Sequence, residues 1–331
     1  MTSVAELAQA LNSGDRRALA KAITLVESSR LADRVAGREL LGALGPARAG
    51  TLRIGVTGVP GAGKSTLIDV LGEQAILAGH RVAVLAVDPS SRQSGGSVLG
   101  DKTRMSRLAA DPAAYVRPSP TLGVLGGVAA RTREVISLCE AAGYDLIFVE
   151  TVGVGQSEEQ VANLVDCLLL VLLAGAGDDI SSMKRGILEA ADVIAFNKAD
   201  GDRISAVNND AAALRASLTV SHGQRVPAVL VVSALDGAGV PQLWHTLSGN
   251  RAEPEWANAF RERRARQRKE WFDSALEEAL QEAFARRPDA ALARRAAEAS
   301  VAAGTSTPWD AAQRLVAALL PDTNPQKDSE A

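Results

Sequence analysis

The run Gly58-Val59-Pro60-Gly61-Ala62-Gly63-Lys64-Ser65 constrains this chain more than any other stretch. It fits the pattern G-x-x-x-x-G-K-[ST]. The apolar run Thr51 to Thr57 precedes it and reads as a buried strand. Thr66 to Ala75 follows and reads as a helix with Leu67, Val70 and Leu71 on one face. Strand, glycine loop and helix in that order turn a pattern into a phosphate site. The glycines let backbone N–H groups turn inward around a β-phosphate, and the helix N-terminus adds the positive end of its dipole. The segment Gly58 to Thr66 is thus the predicted phosphate-binding element. Lys64 would reach the β- and γ-phosphates, and the Ser65 hydroxyl would ligate Mg²⁺.

The rest of the composition narrows the class. With 36 basic and 39 acidic residues the net charge is −3. A surface that tracks nucleic-acid phosphates shows as a basic excess, so nucleic acid is not the expected ligand. Apolar residues make up 47% but aromatics only 3%, so the core must rest on Ala, Val, Leu and Ile. Cys139 and Cys167 lie far apart in apolar surroundings and read as buried thiols of a reducing compartment. The N-terminus lacks a basic start followed by an apolar stretch, and the longest apolar run, Cys167 to Ala176, is too short for a bilayer. A cytoplasmic protein with no membrane partner is expected.

Along the chain, residues 1–48 show helical spacing of Leu7, Leu11, Leu19, Ile23 and Val26, with Asn12-Ser13-Gly14-Asp15 as a break and N-cap. Residues 49–250 alternate short apolar runs with helical patterns, as βαβ units do. Strands are expected at 52–57, 81–87, 114–117, 145–150, 166–173, 192–197 and 228–232. Most are apolar at successive positions, the mark of strands covered on both faces. The predicted fold is α/β: a doubly wound, mostly parallel sheet domain that carries the phosphate loop (P-loop), with N- and C-terminal helical extensions. Residues 251–321 form the C-terminal extension. There the basic run Arg261 to Lys269 reads as a solvated helix face, and Phe272, Leu276, Leu280 and Phe284 recur every four residues. Residues 322–331 read as a disordered tail.

Ligands of doubly wound sheets sit beyond the carboxyl ends of strands, and the chemistry-bearing residues follow strands here. Asp88 ends the second strand, placed either to hold Mg²⁺ or to start an Asp-Pro turn. Glu150 ends the run Ile147-Phe148-Val149-Glu150, with Gly153 after it. Its carboxylate could reach the magnesium shell and the Gly153 N–H the γ-phosphate; a structural cap is the plainer reading of Glu150. Asn197-Lys198-Ala199-Asp200 follows another strand. The Asp200 carboxylate can accept from guanine N1–H and the exocyclic amine, whereas adenine would leave it unpaired, so GTP is favoured over ATP. Asn197 would support the loop, Lys198 would cover the ring, and Ser233-Ala234-Leu235 would form the turn beneath the base. Asp101 and Gln156 are the candidates to position the attacking water, and no arginine is assigned to the transferring phosphate.

At these residues the chain resembles the MeaB/ArgK family of P-loop GTPases, which includes the methylmalonic aciduria type A protein. The resembling segments are Gly58–Thr66, Asp88-Pro89-Ser90-Ser91, Gly100-Asp101-Lys102-Thr103-Arg104-Met105, Glu150 to Glu158 and Asn197–Asp200. The resemblance implies a homodimeric GTPase, joined through helical extensions, that escorts an adenosylcobalamin-dependent acyl-CoA mutase. It would gate cofactor loading and protect the mutase, with GTP hydrolysis as the clock, slow alone and faster with the partner. Its ligands would be GTP or GDP and Mg²⁺, with no cobalamin on this chain. By the same resemblance Asp178 and Lys184 would couple nucleotide state to the partner. Ser181 stands where the family usually has the longer Gln.

Three other readings compete. A metal-delivery GTPase of hydrogenase or urease maturation usually carries His- or Cys-rich motifs, whereas His80, His222 and His245 are scattered here. A kinase linked to amino-acid transport would need a kinase catalytic loop, and nothing in the sequence resembles one. A nucleotide-gated binding module without useful hydrolysis would share every motif above.

Overall fold

In a computed structural model, the described residues are all except 1–2, 29, 46–49, 89–104, 121–126, 152–160, 176–184, 222–225, 250–253, 288 and 320–331. They divide into two compact units, 1–267 and 268–331.

The first unit is built on a seven-stranded sheet in which every pairing is parallel. Its strands are β1 (Leu52–Gly58), β2 (Val82–Asp88), β3 (Ala114–Pro120), β4 (Leu146–Thr151), β5 (Cys167–Leu172), β6 (Val193–Phe196) and β7 (Ala228–Val231), in the order β3-β2-β4-β1-β5-β6-β7. β1 is central, and the chain leaves it first toward β2 and returns through β4 before crossing to β5. That reversal of strand order opens a crevice at the carboxyl end of β1, where ligands of such sheets bind. β4 and β5 are buried at every position, which is why their sequences run apolar without alternation.

Alternate side chains feed opposite layers. From β1, Leu52, Ile54 and Val56 pack with Leu67, Ile68 and Leu71 of α4 (Lys64–Leu77), Leu108 of α5 (Ser106–Ala110) and Leu243 of α9 (Val240–Gly249). On the other face, Leu85, Ile147 and Val149 meet α6 (Gly127–Ala141) and the N-terminal helices α1 (Val4–Asn12), α2 (Arg16–Glu27) and α3 (Leu31–Leu44). Further along that face, Leu170, Leu172 and Phe196 pack on α7 (Arg185–Ala190) and α8 (Ile204–Ser221). The expected break before α2 is real: Gly14 has φ 84°, and the Asp15 carboxylate accepts from Arg17 N at 2.7 Å and Ala18 N at 3.2 Å. Cys139 and Cys167 are buried free thiols. Burial first, then the neighbouring Glu140, push the Cys139 thiol well up, against a smaller opposing effect of Arg117.

The basic run of α10 (Pro254–Ala285) corrects one expectation. It is not a solvated face throughout. Phe260, Arg263, Arg264 and Gln267 share one stripe at i, i+3, i+4, i+7 spacing, and it turns toward the amino ends of the strands. Arg263 grips Asp192 through two bonds of 2.7 and 3.0 Å. Arg264 grips Asp166 through two bonds of 2.6 Å and also donates to Thr51 O. Gln267 donates to Val165 O at 2.8 Å. The acidic residues that flank the run in sequence are not these partners. In the second unit, α10 from 268 onward, α11 (Ala290–Ala302) and α12 (Pro308–Leu319) expose Phe272, Leu276, Leu280, Leu292 and Trp309.

Candidate functional site

β1 ends in glycine because nothing else fits. Gly58 has φ 141°, and a Cβ there would lie 2.1 Å from the Val171 carbonyl oxygen of β5. Gly61 and Gly63 take φ of 79° and 84°, in the left-handed region, so the loop turns back over the start of α4. Pro60 is exposed and Ala62 buried beneath the loop, and the Ala62 N–H closes the turn on Val59 O at 3.1 Å. Thr66 is exposed on the first turn of α4.

The Lys64 side chain, 8% exposed, folds back along the loop. Its Nζ donates to Gly58 O at 2.7 Å and Val59 O at 3.2 Å. The ammonium is thus held at the mouth of the loop by neutral carbonyls that a phosphate could replace. A phosphate would bring full negative charge to that ammonium, where the carbonyls bring only dipoles. Next to it, the Ser65 hydroxyl donates to Glu150 Oε1 at 2.7 Å, and Glu150 is 4% exposed. The structure therefore brings together the two oxygen donors that lie 85 positions apart in sequence. Asp88 is the last residue of β2, beside the strand that carries Glu150.

Asn197 links this loop to the second motif. Its Nδ2 donates to Ala62 O at 2.8 Å, and its Oδ1 accepts from Ala234 N at 3.0 Å. A Cβ on Gly63 would lie 2.6 Å from that Nδ2, so the same glycine that shapes the loop admits the strut. Lys198 adopts φ 62°, strained for a residue with a side chain. The Lys198 Cε would be 4.0 Å from such a Cβ, which places its stem over the loop. Asp200 is oriented by two donors, Arg203 Nη2 at 2.8 Å and Ser233 Oγ at 3.3 Å. Ser233 and Ala234 are buried; Leu235 is 77% exposed. The turn is closed by Asp236, whose carboxyl the Ser233 hydroxyl, and then the Ala238 amide, hold below the usual range.

Sequence reasoning missed two parts of this arrangement. The Asn197 strut reaches a loop 135 positions away, which no local pattern shows. Arg203 was legible in principle, since Asp and Arg at i, i+3 spacing face each other on a helical turn. Asp101, Gly153, Gln156, Asp178, Ser181 and Lys184 lie outside the described residues.

A phosphate-shaped loop after the central strand and a carboxylate turn bonded to it through one asparagine define a P-loop protein of the GTPase class. The chain belongs to the MeaB family: the family model described as methylmalonyl Co-A mutase-associated GTPase MeaB matches residues 19–289. The chain is 47% identical over 313 residues to a probable GTPase of Mycobacterium tuberculosis (strain ATCC 25618 / H37Rv), covering 94% of this chain and 93% of that one. It is 44% identical over 279 residues to GTPase ArgK of Escherichia coli (strain K12), covering 83% and 84%. It is 40% identical over 319 residues to the mitochondrial methylmalonic aciduria type A homolog of Mus musculus, covering 92% and 77%. Among solved structures, the crystal structure of a LAO/AO transport system kinase is similar at a TM-score of 0.70 and 35% identity, covering 96% of this chain and 97% of that one.

Proposed function

We propose that this chain binds Mg·GTP at the site above and hydrolyses it to GDP and phosphate, slowly when alone. Its nucleotide state would gate cofactor loading of, and protect, an adenosylcobalamin-dependent acyl-CoA mutase, which in turn speeds hydrolysis. One observation carries the nucleotide half: Asn197 bonds the phosphate loop and the carboxylate turn into one rigid unit, so both ends of a GTP would meet preorganised groups. The mutase as partner is supported by the family description.

Each residue then has a role. The loop amides from Gly58 to Thr66 would cradle the β-phosphate, while Lys64 exchanges its two carbonyls for β- and γ-oxygens. Asp200, held by Arg203 and Ser233, would accept from guanine, with Asn197, Lys198 and the 233–235 turn framing the base. Ser65 and Glu150 would hold Mg²⁺, with Asp88 nearby in the sheet. The donor set fits that ion. Two hard oxygens already converge, and Mg²⁺ keeps most of its shell for waters and phosphate oxygens. Among the described residues there is no group of three or more His, Cys, Asp or Glu side chains placed to hold a metal, so an all-protein cage is not what is proposed. Bound there, the ion would neutralise charge that develops on the β- and γ-oxygens.

Asp101 or Gln156 would orient the attacking water, and Gly153 would meet the γ-phosphate. Asp178 and Lys184 would report the nucleotide state to the mutase, with Ser181 altering that signal. In domain terms, residues 49–250 form the GTPase domain, flanked by a helical extension at 1–48, a helical dimerisation region at 251–321 and a tail at 322–331. The exposed series Phe272, Leu276 and Leu280 supports a homodimer through that region. No helix among the described residues is long and apolar enough to cross a membrane, and a cytoplasmic location is part of the proposal.

The test is GTP turnover by the purified chain with and without an adenosylcobalamin-dependent mutase from the same organism. Turnover should be slow alone and rise when the mutase is added. Fast turnover that the mutase leaves unchanged would refute the coupling.

A further inference from the structure

We propose that Thr57 and Thr151 are positioning residues for the magnesium site: their hydroxyl bridge fixes Glu150 relative to Ser65. The inference rests on the Mg·GTP reading of that site and deepens it.

The bridge sits where two strands part. β1 and β4 pair from Leu52–Leu146 up to Val56–Glu150. β1 then stays with β5 through Thr57–Leu170 and Gly58–Val171 as it turns into the phosphate loop. β4 stays with β2 through Thr151–Val87. Glu150 thus occupies the last rung of the β1–β4 ladder. Just beyond that rung, the Thr151 hydroxyl donates to Thr57 Oγ1 at 3.1 Å. A side-chain bond takes the place of the next rung, between the strand that carries Glu150 and the strand that leads to Ser65.

Both threonines are fully buried. Successive residues of a strand face opposite layers. Val56 and Glu150 face the layer of α4, whereas Thr57 and Thr151 face the layer of Ile147 and Val149. That second layer is apolar and close-packed. A Cβ on Gly55, the preceding residue on that face of β1, would lie 2.9 Å from the Leu168 side chain and 3.0 Å from those of Val161 and Val165. Valine has nearly the shape of threonine, suits a strand as well, and would fill both places without a polar group to satisfy. Two hydroxyls that face each other there add direction rather than burial. A hydrogen bond fixes a length and an angle, which the packing of two valines does not.

The consequence for the site follows from what Glu150 touches. Its Oε1 accepts from the Ser65 hydroxyl at 2.7 Å, and Ser65 follows β1 across the phosphate loop, in the first turn of α4. The spacing of the two magnesium donors is therefore set by the spacing of the β1 and β4 ends. Mg²⁺ demands near-ideal octahedral geometry at about 2.1 Å, so donors that drift apart lose metal affinity. Neither threonine would touch the ion; both act through Glu150. Removing a group that orients a metal's ligands typically costs about 10–100-fold in metal affinity.

The experiment measures GDP affinity of the full chain without metal and as Mg²⁺ is titrated, together with thermal stability. The variants are Thr151→Val, Thr151→Ser and the double variant Thr57→Val/Thr151→Val. Val keeps the shape and removes the bond; Ser keeps the bond and removes a methyl. In Thr151→Val the Mg²⁺ concentration for half-maximal effect should rise about tenfold, with metal-free GDP affinity within about twofold of wild type. Thr151→Ser should stay within about twofold of wild type on both measures. The double variant strands neither hydroxyl in the apolar layer, so it should be destabilised less than Thr151→Val yet show the same Mg²⁺ defect. An unchanged Mg²⁺ requirement in folded Thr151→Val would overturn the inference. So would metal-free affinity falling in step, or a defect that the double variant repairs, which would trace it to the stranded hydroxyl. If Thr151→Val does not fold, the double variant decides by the same Mg²⁺ titration. Wild-type GDP affinity that ignores Mg²⁺ would sink the magnesium reading and the bridge together; a Mg²⁺-dependent wild type with unaffected variants sinks the bridge alone.

Discussion

The two ends of the central sheet use polar groups in opposite ways. At the carboxyl ends, the charged and hydroxyl groups rest on partners that leave them open to a ligand: Lys64 on two backbone carbonyls, Ser65 on Glu150, and Asp200 beside Ser233 and the half-exposed Arg203. At the amino ends, charges meet charges and stay neutralised. Asp166 and Asp192 each accept from a strand amide and from an arginine of α10, and Glu140, fully buried, takes Arg53 at 2.7 Å. The difference teaches where exchange is cheap. An ammonium that trades carbonyl dipoles for the full charges of a phosphate favours binding, whereas a buried ion pair that loses one member leaves an uncompensated charge. One end is built to change partners and the other to keep them.

The largest expected effect is at the fixed end. Arg264→Ala would strand the Asp166 carboxylate, which is 2% exposed. Removing one member of a buried pair typically costs about 3–5 kcal/mol, and the 21% exposure of Arg264 favours the low end of that range. Chemical denaturation should show a loss of about 3 kcal/mol with guanine-nucleotide affinity nearly unchanged. A marked loss of affinity would break the contrast between the two ends.

At the exchangeable end, Asp200→Asn should invert base preference rather than unfold the chain. The amide presents one donor and one acceptor, so guanine loses a bond while xanthine, with a carbonyl in place of the amine, gains one. Competition binding should show GTP weakened by about 100-fold relative to xanthosine triphosphate, the scale of an unpaired polar contact at about 1.4 kcal/mol per tenfold. Equal weakening of both nucleotides would mean that Asp200 does not read the base.

The smallest effect concerns pH. The Asp236 carboxyl is held below its usual range by Ser233 and Ala238. A lowered folded value means its contribution is present above the ordinary aspartate range and is lost as pH falls through the folded value. The stability difference between wild type and Asp236→Asn should therefore be present at neutral pH and vanish in acid. A difference that persists in acid would assign it to packing.

How much of this was legible follows the same division. The inner strands β2, β4, β5 and β6 were readable because parallel strands covered on both faces give unbroken apolar runs, and the glycine loop because only glycine tolerates its φ values. The phosphate and carboxylate motifs were readable because each is short and follows a strand. What joins them was not: the Ser65–Glu150 bond and the Asn197 strut depend on which strands become neighbours. The stripe of Arg263, Arg264 and Gln267 was misread, because a basic run carries no sign of acids placed 71 and 98 positions earlier, or of the Val165 carbonyl that takes Gln267. Its i, i+3, i+4, i+7 spacing from Phe260 was the available clue. The seat of α5 on α4 was hidden in the same way, since Asp69, which accepts from Leu108 N at 2.9 Å, and Gly72 look like ordinary helix residues until Leu108 is placed against them.

Amide hydrogen exchange resolved by segment, measured without nucleotide, with GDP and with a non-hydrolysable GTP analogue, tests the contrast most directly. Nucleotide should slow exchange in 58–66 and 233–238, while the amides of Arg53, Asp166 and Leu168 stay equally protected in all three states. Exchange that changes as much around Asp166 and Asp192 as around Lys64 would contradict the account.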